Sequence, residues 1–296
     1  MKGGWAIVKA TVREVLSEPL SLLILVSAQA LSVLAPAFHY HQFGEATRMA
    51  RDAGCSSLFL GGSVLAVFVT IRVFRREIES GTLQMALAHP ISRGGFFLFK
   101  SLGCFCAYLI FAFLLSVTMM LVVWGADIGG TLAARTGEIA RLYGPCLASG
   151  LALLVVPLVL AAALNRFLRL RFVTTVFALS FGLSALLSVL MVGLRAELCG
   201  RYLPVVLLLG VFALMLVMAS AAMSVRFRAN GAASAVGLVL LASVPVIGNY
   251  YLADALAQAG VVSLSYCGWA ILALLPAVLA FAILGVCLMN GRETES

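Results

Sequence analysis

The sequence predicts an all-α, polytopic membrane protein with about eight transmembrane helices in one domain, residues 1–296. Hydrophobic residues make up 63% of the chain and charged residues only 11%, against roughly a quarter charged in soluble domains. Apolar runs near 20 residues long recur throughout the chain, which is the length a helix needs to cross a bilayer. The runs are continuous rather than alternating, so a β-barrel fits poorly.

Eight apolar runs are predicted to span the membrane. The seventh is the weakest, because Pro245, Gly248 and Asn249 interrupt it, and a broken or re-entrant segment is an alternative there. In chain order the runs are Leu20–Phe38, Leu58–Phe74, Phe96–Trp124, Cys146–Leu164, Val173–Leu194, Tyr202–Val225, Ala235–Ala253 and Gly268–Met289.

Residues 1–18 are predicted to form an amphipathic helix in the inner headgroup layer, before the first span. Pro19 then allows a turn into that span; the alternative is that residues 1–18 simply extend it. One face of the helix is apolar and the charged residues take other faces, as in interfacial helices. The apolar residues at helical spacing are Trp5, Val8, Val12, Val15 and Leu16.

The distribution of basic residues predicts that both termini and residues 75–95 face the cytoplasm. With the N-terminus inside, 14 of the 20 basic residues fall in inner segments and 6 in outer segments, as the positive-inside rule requires. Anionic membrane lipids account for this basic face, so no nucleic-acid partner is expected. Cys55 and Cys199 are predicted to lie in outer loops, where a disulfide between them is conceivable.

Ionisable side chains are missing from the middle of every predicted span. Arg72 and Lys100 lie near cytoplasmic ends, where they are expected to snorkel. Ion-coupled carriers place charged groups at mid-membrane depth, so this pattern argues against that class and against a membrane enzyme. No catalytic, metal or cofactor site is predicted. No Walker A loop is present, so a separate subunit would have to bind any ATP used.

Residues 75–95 predict a short helix across the cytoplasmic ends of two spans. Gly81 can end the helix that leaves the membrane, and Thr82 can cap a second, Leu83–Ala88. Pro90 ends that helix, and Ser92 can cap the next span. An ordinary surface loop is the alternative, and the residues alone do not decide between the two.

This segment resembles the signature between the second and third spans of ABC type-2 permeases, the membrane subunits of exporters. The entry helix WAIVKATVREVL and the C-terminal span are also similar to that family, so the resemblance covers about a third of the chain. The family usually has six spans rather than eight. The residues of the central pattern are Glu77, Gly81, Thr82, Leu83, Pro90, Arg93 and Lys100.

The resemblance implies that Gly81–Pro90 is a coupling helix seated in a cleft of a separate ABC ATPase. Glu77, Glu79 and Arg93 would anchor this helix by charge, while Leu83 and Leu87 would pack on the partner; Gly81, Thr82 and Pro90 would shape it.

It further implies a permease subunit of an ATP-driven exporter in the bacterial cytoplasmic membrane. A pair of permease chains, as a homodimer or with a related chain, would enclose the substrate pathway. The alternative is a non-transporting assembly factor or sensor that docks a cytosolic protein.

Overall fold

A computed structural model describes residues 2–34, 46–79, 92–136, 140–227 and 264–291, and the structural statements below concern these residues alone. They contain helices and no strand, which confirms the predicted all-α class. In chain order the helices are α1 (Lys2–Ser17), α2 (Pro19–Leu34), α3 (Ala46–Glu79), α4 (Arg93–Thr136), α5 (Ala140–Leu168), α6 (Phe172–Arg226) and α7 (Leu264–Gly291).

Six stretches of these helices are long and apolar enough to cross a membrane, and each overlaps a predicted span. The predicted first span corresponds to α2, which qualifies only together with α1 as a bent pair and would bring the number to seven. The predicted seventh span, Ala235–Ala253, lies outside the described residues. The six stretches are Ala50–Glu79, Arg93–Ile128, Ala148–Leu168, Phe172–Gly193, Tyr202–Arg226 and Cys267–Gly291.

The chain turns between α1 and α2, where the sequence predicts a turn. Glu18 is not helical, Pro19 begins α2, and the two helices meet at 64°. Proline suits the first position of a helix because its missing N–H would have had no partner there. Residues 1–18 therefore do not extend span one in a straight line.

Helix α6 carries two spans that run in opposite directions. The ring of Phe181 packs on Phe113 of α4 with centroids 5.4 Å apart. The carbonyl of Leu209 accepts a hydrogen bond of 3.3 Å from the Tyr108 hydroxyl, also on α4. A straight helix would separate these two contacts by about 40 Å, whereas their partners on α4 lie about 8 Å apart. The chain must therefore fold back between the two spans.

Helix α4 lies at the centre of the bundle. Its span and the second span of α6 are each 72% buried within the protein, and that of α3 is 61% buried. The spans of α5 and α7 and the first span of α6 are only 17%, 11% and 28% buried. Their apolar surfaces therefore face the lipid or another chain, since only an apolar environment accepts them without cost.

Helix α3 ends and helix α4 begins at the same end of the bundle, on either side of residues 80–91. We call this end the basic end. Two close approaches place the last turns of α7 at this end. A Cβ on Gly94 of α4 would lie 2.9 Å from Val286 of α7, and Gly285 of α7 packs directly against the ring of Phe97 of α4. Helix α6 also ends at the basic end, and Phe227 is the last described residue after it. The next described residue is Leu264, where α7 begins.

Cys55, predicted in an outer loop, lies instead within α3 and is buried. It is a free thiol whose Sγ lies 3.7 Å from the Sδ of Met119 on α4. Cys55 therefore forms no disulfide in this structure. The helix begins at Ala46, about three turns before the apolar run that starts at Leu58, and Cys55 therefore lies inside it.

Helix α1 packs closely on α4, and this contact divides the predicted apolar face. Val8, Thr11 and Val15 are buried, whereas Trp5 is 66% exposed. The close approach depends on Gly103, where a Cβ would lie 2.6 Å from the Thr11 Cβ and 3.1 Å from the Val8 carbonyl oxygen. A side chain at position 103 would push the two helices apart.

Replacing Gly103 by Leu is expected to destabilise the protein by about 1–3 kcal/mol, the usual cost of overpacking. The measurement is the thermal unfolding midpoint in detergent, with proteolysis of α1 as a second readout. Gly182→Leu is the matched control, because a Cβ at that helical glycine would meet nothing within 4 Å. Equal midpoints for the two variants would contradict the close α1–α4 contact.

Candidate functional site

The last turns of α3, directly before residues 80–91, contact three other helices. Arg72 and Arg76 reach α1 and the residue that follows it, Glu77 reaches α4, and Arg75 reaches the end of α6. Arg72, Arg75 and Arg76 share one face of α3, because residues three and four apart are neighbours on a helix, and Glu77 lies about 100° further round from Arg76. The end of α3 therefore holds the basic end of the bundle together.

Lys100 of α4 is the most deeply buried charged residue in this region. Its side chain is 2% exposed and forms ion pairs with Glu77 of α3 and with Glu14 of α1, the latter at 3.9 Å. The ammonium also lies 5.8 Å from the centre of the Phe96 ring. The expectation that Lys100 snorkels to the membrane surface is wrong, because two carboxylates from other helices neutralise it inside the protein.

Two arginines of α3 complete a network with the end of α1. Arg72 Nε lies 3.0 Å from Glu18 Oε2, and Arg76 Nη1 lies 3.7 Å from Glu14 Oε1 and 3.9 Å from Glu18 Oε1. Three acidic and three basic side chains thus balance in charge. We call these six residues the charge network: Glu14, Glu18, Arg72, Arg76, Glu77 and Lys100.

Burial has an electrostatic cost at Glu14. Helix α1 lies outside the six candidate spans, yet burial against α4 raises the pKa of the Glu14 carboxyl because the charged form loses hydration. The neighbouring Lys100 ammonium opposes this rise. The guanidinium of Arg76 opposes the rise in the same way.

Arg75 connects the end of α3 to the end of α6. Its Nη1 donates a hydrogen bond of 3.2 Å to the carbonyl of Phe227, the residue that follows α6. Its Nη2 lies 3.0 Å from Glu79 Oε1 one turn further along α3. A guanidinium at a helix C-terminus also interacts favourably with the helix dipole.

Three of the predicted site residues are described, and they differ in their surroundings. Glu77 faces inward and is held by Lys100, while Glu79 is 63% exposed and paired with Arg75. Arg93 is the first residue of α4 and is partly buried. The other five predicted residues lie outside the described part of the chain: Gly81, Thr82, Leu83, Leu87 and Pro90.

The beginning of α4 confirms one local prediction. The Ser92 hydroxyl accepts a hydrogen bond of 3.2 Å from the Gly95 backbone N–H, which is the geometry of an N-cap. Residues 80–91 thus run from an α3 end fixed by the charge network to an α4 start fixed by a cap.

Glu14 and Glu18 belong to the site but were not predicted from the sequence. Both lie on the amphipathic entry helix or directly after it, where a charged residue ordinarily faces solvent or headgroups. One available signal was the spacing of four between them, which puts two carboxylates on one helix face. Their partners are 54 to 86 residues away along the chain, so only the fold identifies them.

The charge network and Arg75 connect the end of α3 to its neighbouring helices. The side chains of the charge network pair with one another. A displacement of residues 80–91 would act on α3 and α4 directly, and on α1 and α6 through Arg72, Arg76 and Arg75.

Comparison with known proteins gives one match. A protein-family model described as "ABC-2 family transporter protein" matches residues 18–184, more than half of the chain. The matched part includes α2 to α5, residues 80–91 and the first part of α6. The searches of curated proteins and of solved structures found no match.

Proposed function

Because the chain belongs to the ABC-2 transporter family, we propose that it is the permease subunit of an ATP-driven exporter. In this proposal a separate ABC ATPase binds residues 80–91 as a coupling helix. Glu77 and Arg93 hold the base of this helix, Leu83 and Leu87 pack on the ATPase, and Glu79 remains available at its edge. ATP is bound by the partner, and this chain supplies the membrane pathway.

One structural observation carries the proposal: both ends of residues 80–91 are fixed to the bundle. The α3 end is tied to α1, α4 and α6, and the start of α4, capped by Ser92, is joined to α3 two turns later by the Lys100–Glu77 ion pair. A rigid connection of this kind is what converts movement of a docked subunit into tilting of spans. A loop with free ends would absorb the same movement instead.

The poorly buried spans support a pathway between two chains. The first span of α6 and the spans of α5 and α7 are 28% buried or less, and the described core around α4 is filled by side chains. We therefore place the substrate route between two permease chains. Because basic residues are concentrated at the basic end, we place that end and both termini on the cytoplasmic side of the membrane.

ATP rather than an ion gradient is expected to drive transport. In α3 no Asp, Glu, Lys, Arg or His lies between Asp52 and Arg72, and in α4 none lies between Lys100 and Asp127. Ion-coupled carriers need such groups at mid-membrane depth. Vesicles with a proton or sodium gradient but no ATP should therefore accumulate no substrate.

The test uses vesicles that contain this chain alone or with the ATPase subunit that co-purifies with it. We expect ATP-dependent substrate movement and stimulation of the ATPase only when both are present. Robust gradient-driven uptake by this chain alone would contradict the proposal. A stable partner that does not hydrolyse ATP would favour a docking or assembly role instead.

A further inference from the structure

The connection between α5 and α6 is an exposed turn in which basic and apolar residues alternate. Phe167 is 83% exposed, Leu168 62% and Leu170 44%. Phe167 is the most exposed large apolar residue in the described chain. Arg166, Arg169 and Arg171 are exposed as well. We call residues 165–171 the basic turn.

The backbone of the basic turn keeps these side chains at the membrane surface. One candidate span ends at Leu168 and the next begins at Phe172, so three residues separate them. Arg169 takes a left-handed conformation with φ of 53°, and its N–H donates to the Asn165 carbonyl at 3.1 Å, a compact helix ending. Such a short connection cannot carry its side chains away from the bilayer.

The three arginines have no acidic partner in the described structure. None forms an ion pair there, and residues 139–196 contain no Asp or Glu. This distinguishes the turn from the ends of α3 and α4, where every charge network member is paired. Three guanidinium groups within six residues leave a strong local positive charge to be neutralised from outside the chain.

We propose that the basic turn binds the headgroups of anionic phospholipids in the adjoining leaflet. Arg166, Arg169 and Arg171 would contact the phosphate oxygens, to which a guanidinium can donate two hydrogen bonds. Phe167 and Leu168 would enter the boundary between headgroups and acyl chains.

The apolar surface next to the turn favours a lipid over a soluble protein. Val159 and Leu160 on α5 are 59% and 47% exposed, and the α5 span is only 17% buried. The exposed Phe167 and Leu168 continue this membrane-facing surface. A soluble partner would have to cover apolar side chains that already lie at bilayer depth.

The test compares Arg169→Gln/Arg171→Gln with the charge-matched control Lys9→Gln/Arg13→Gln. Both pairs are exposed residues near the basic end, and neither belongs to the charge network. Each full-length variant is extracted from membranes that contain phosphatidylglycerol and phosphatidylcholine, and retained lipid is measured by mass spectrometry. We expect the turn variant to lose phosphatidylglycerol preference roughly thirtyfold, since each of the two basic residues near the surface contributes separately. The control should lose much less.

A second readout places the turn directly. Phe167→Trp should show fluorescence that brominated phosphatidylglycerol quenches, after subtraction of the signal from the unsubstituted protein, and quenching should weaken when Arg169 and Arg171 are also replaced. Equal lipid loss in the turn and control variants would overturn the proposal, because general surface charge would then suffice. Unchanged lipid retention with loss of ATPase binding would also overturn it, and would assign the turn to a protein partner.

Discussion

Replacing Lys100 by Met is expected to lower the free energy of unfolding by about 3 kcal/mol. Breaking a buried ion pair usually costs about 3–5 kcal/mol, because the remaining charge stays desolvated without its partner. The lower figure applies here because Glu14 and Glu77 are each 26% exposed. The thermal unfolding midpoint in detergent should fall by roughly 5–10 °C.

Two further variants separate the loss of the charge network from a general effect of the substitution. Lys9→Met makes the same change at an exposed lysine of α1 and should leave the midpoint nearly unchanged. Adding Glu77→Gln to Lys100→Met should recover part of the loss, because one stranded carboxylate is then neutral. A Lys100→Met protein as stable as Lys9→Met would show that the network does not stabilise the basic end.

Replacing Leu83 and Leu87 by Asp is expected to abolish binding of the ATPase subunit while the protein still inserts in the membrane. The two leucines are four residues apart, so a helix would present them on one face. Burying two carboxylates in an apolar contact costs several kcal/mol, and a loss of about 4 kcal/mol lowers an affinity roughly a thousandfold. Co-purification of the ATPase and its stimulation by this chain are the measurements.

Gln84→Asp/Ala88→Asp is the matched control for this variant. It adds the same charge to the same segment, about 100° around the predicted helix, and should retain most of the binding. Equal loss in both variants would indicate sensitivity to charge alone. Wild-type binding by the leucine variant would exclude this face as the contact.

Features that depend on local sequence were predicted well. Six spans follow from uninterrupted apolar runs, and the turn at Pro19 and the cap at Ser92 follow from residues that favour those positions. The ends of helices were predicted less accurately. Because α3 begins before the apolar run, Cys55 lies inside the helix and not in the predicted outer loop. Polar residues can continue a helix beyond the apolar run, so hydropathy marks the span and not the helix.

Features that depend on tertiary contacts were not predictable from one sequence. The position of Lys100 near the end of a span is compatible both with snorkelling and with burial. Glu14, 86 residues earlier in the chain, decides between them once α1 docks on α4. The role of Gly103 is similar, because a glycine shows where close approach is allowed but not which helix approaches.

The central claim is that residues 80–91 contact an ABC ATPase, and site-specific photo-crosslinking tests it most directly. A photoreactive phenylalanine analogue at position 83 should give, in cells, a covalent adduct that mass spectrometry identifies as an ABC ATPase subunit. The same residue at position 186, where Leu186 is 69% exposed on the first span of α6, should give no adduct with an ATPase subunit. An adduct at position 83 with a protein that lacks a nucleotide-binding site, or no adduct beside a functional transporter, would contradict the claim.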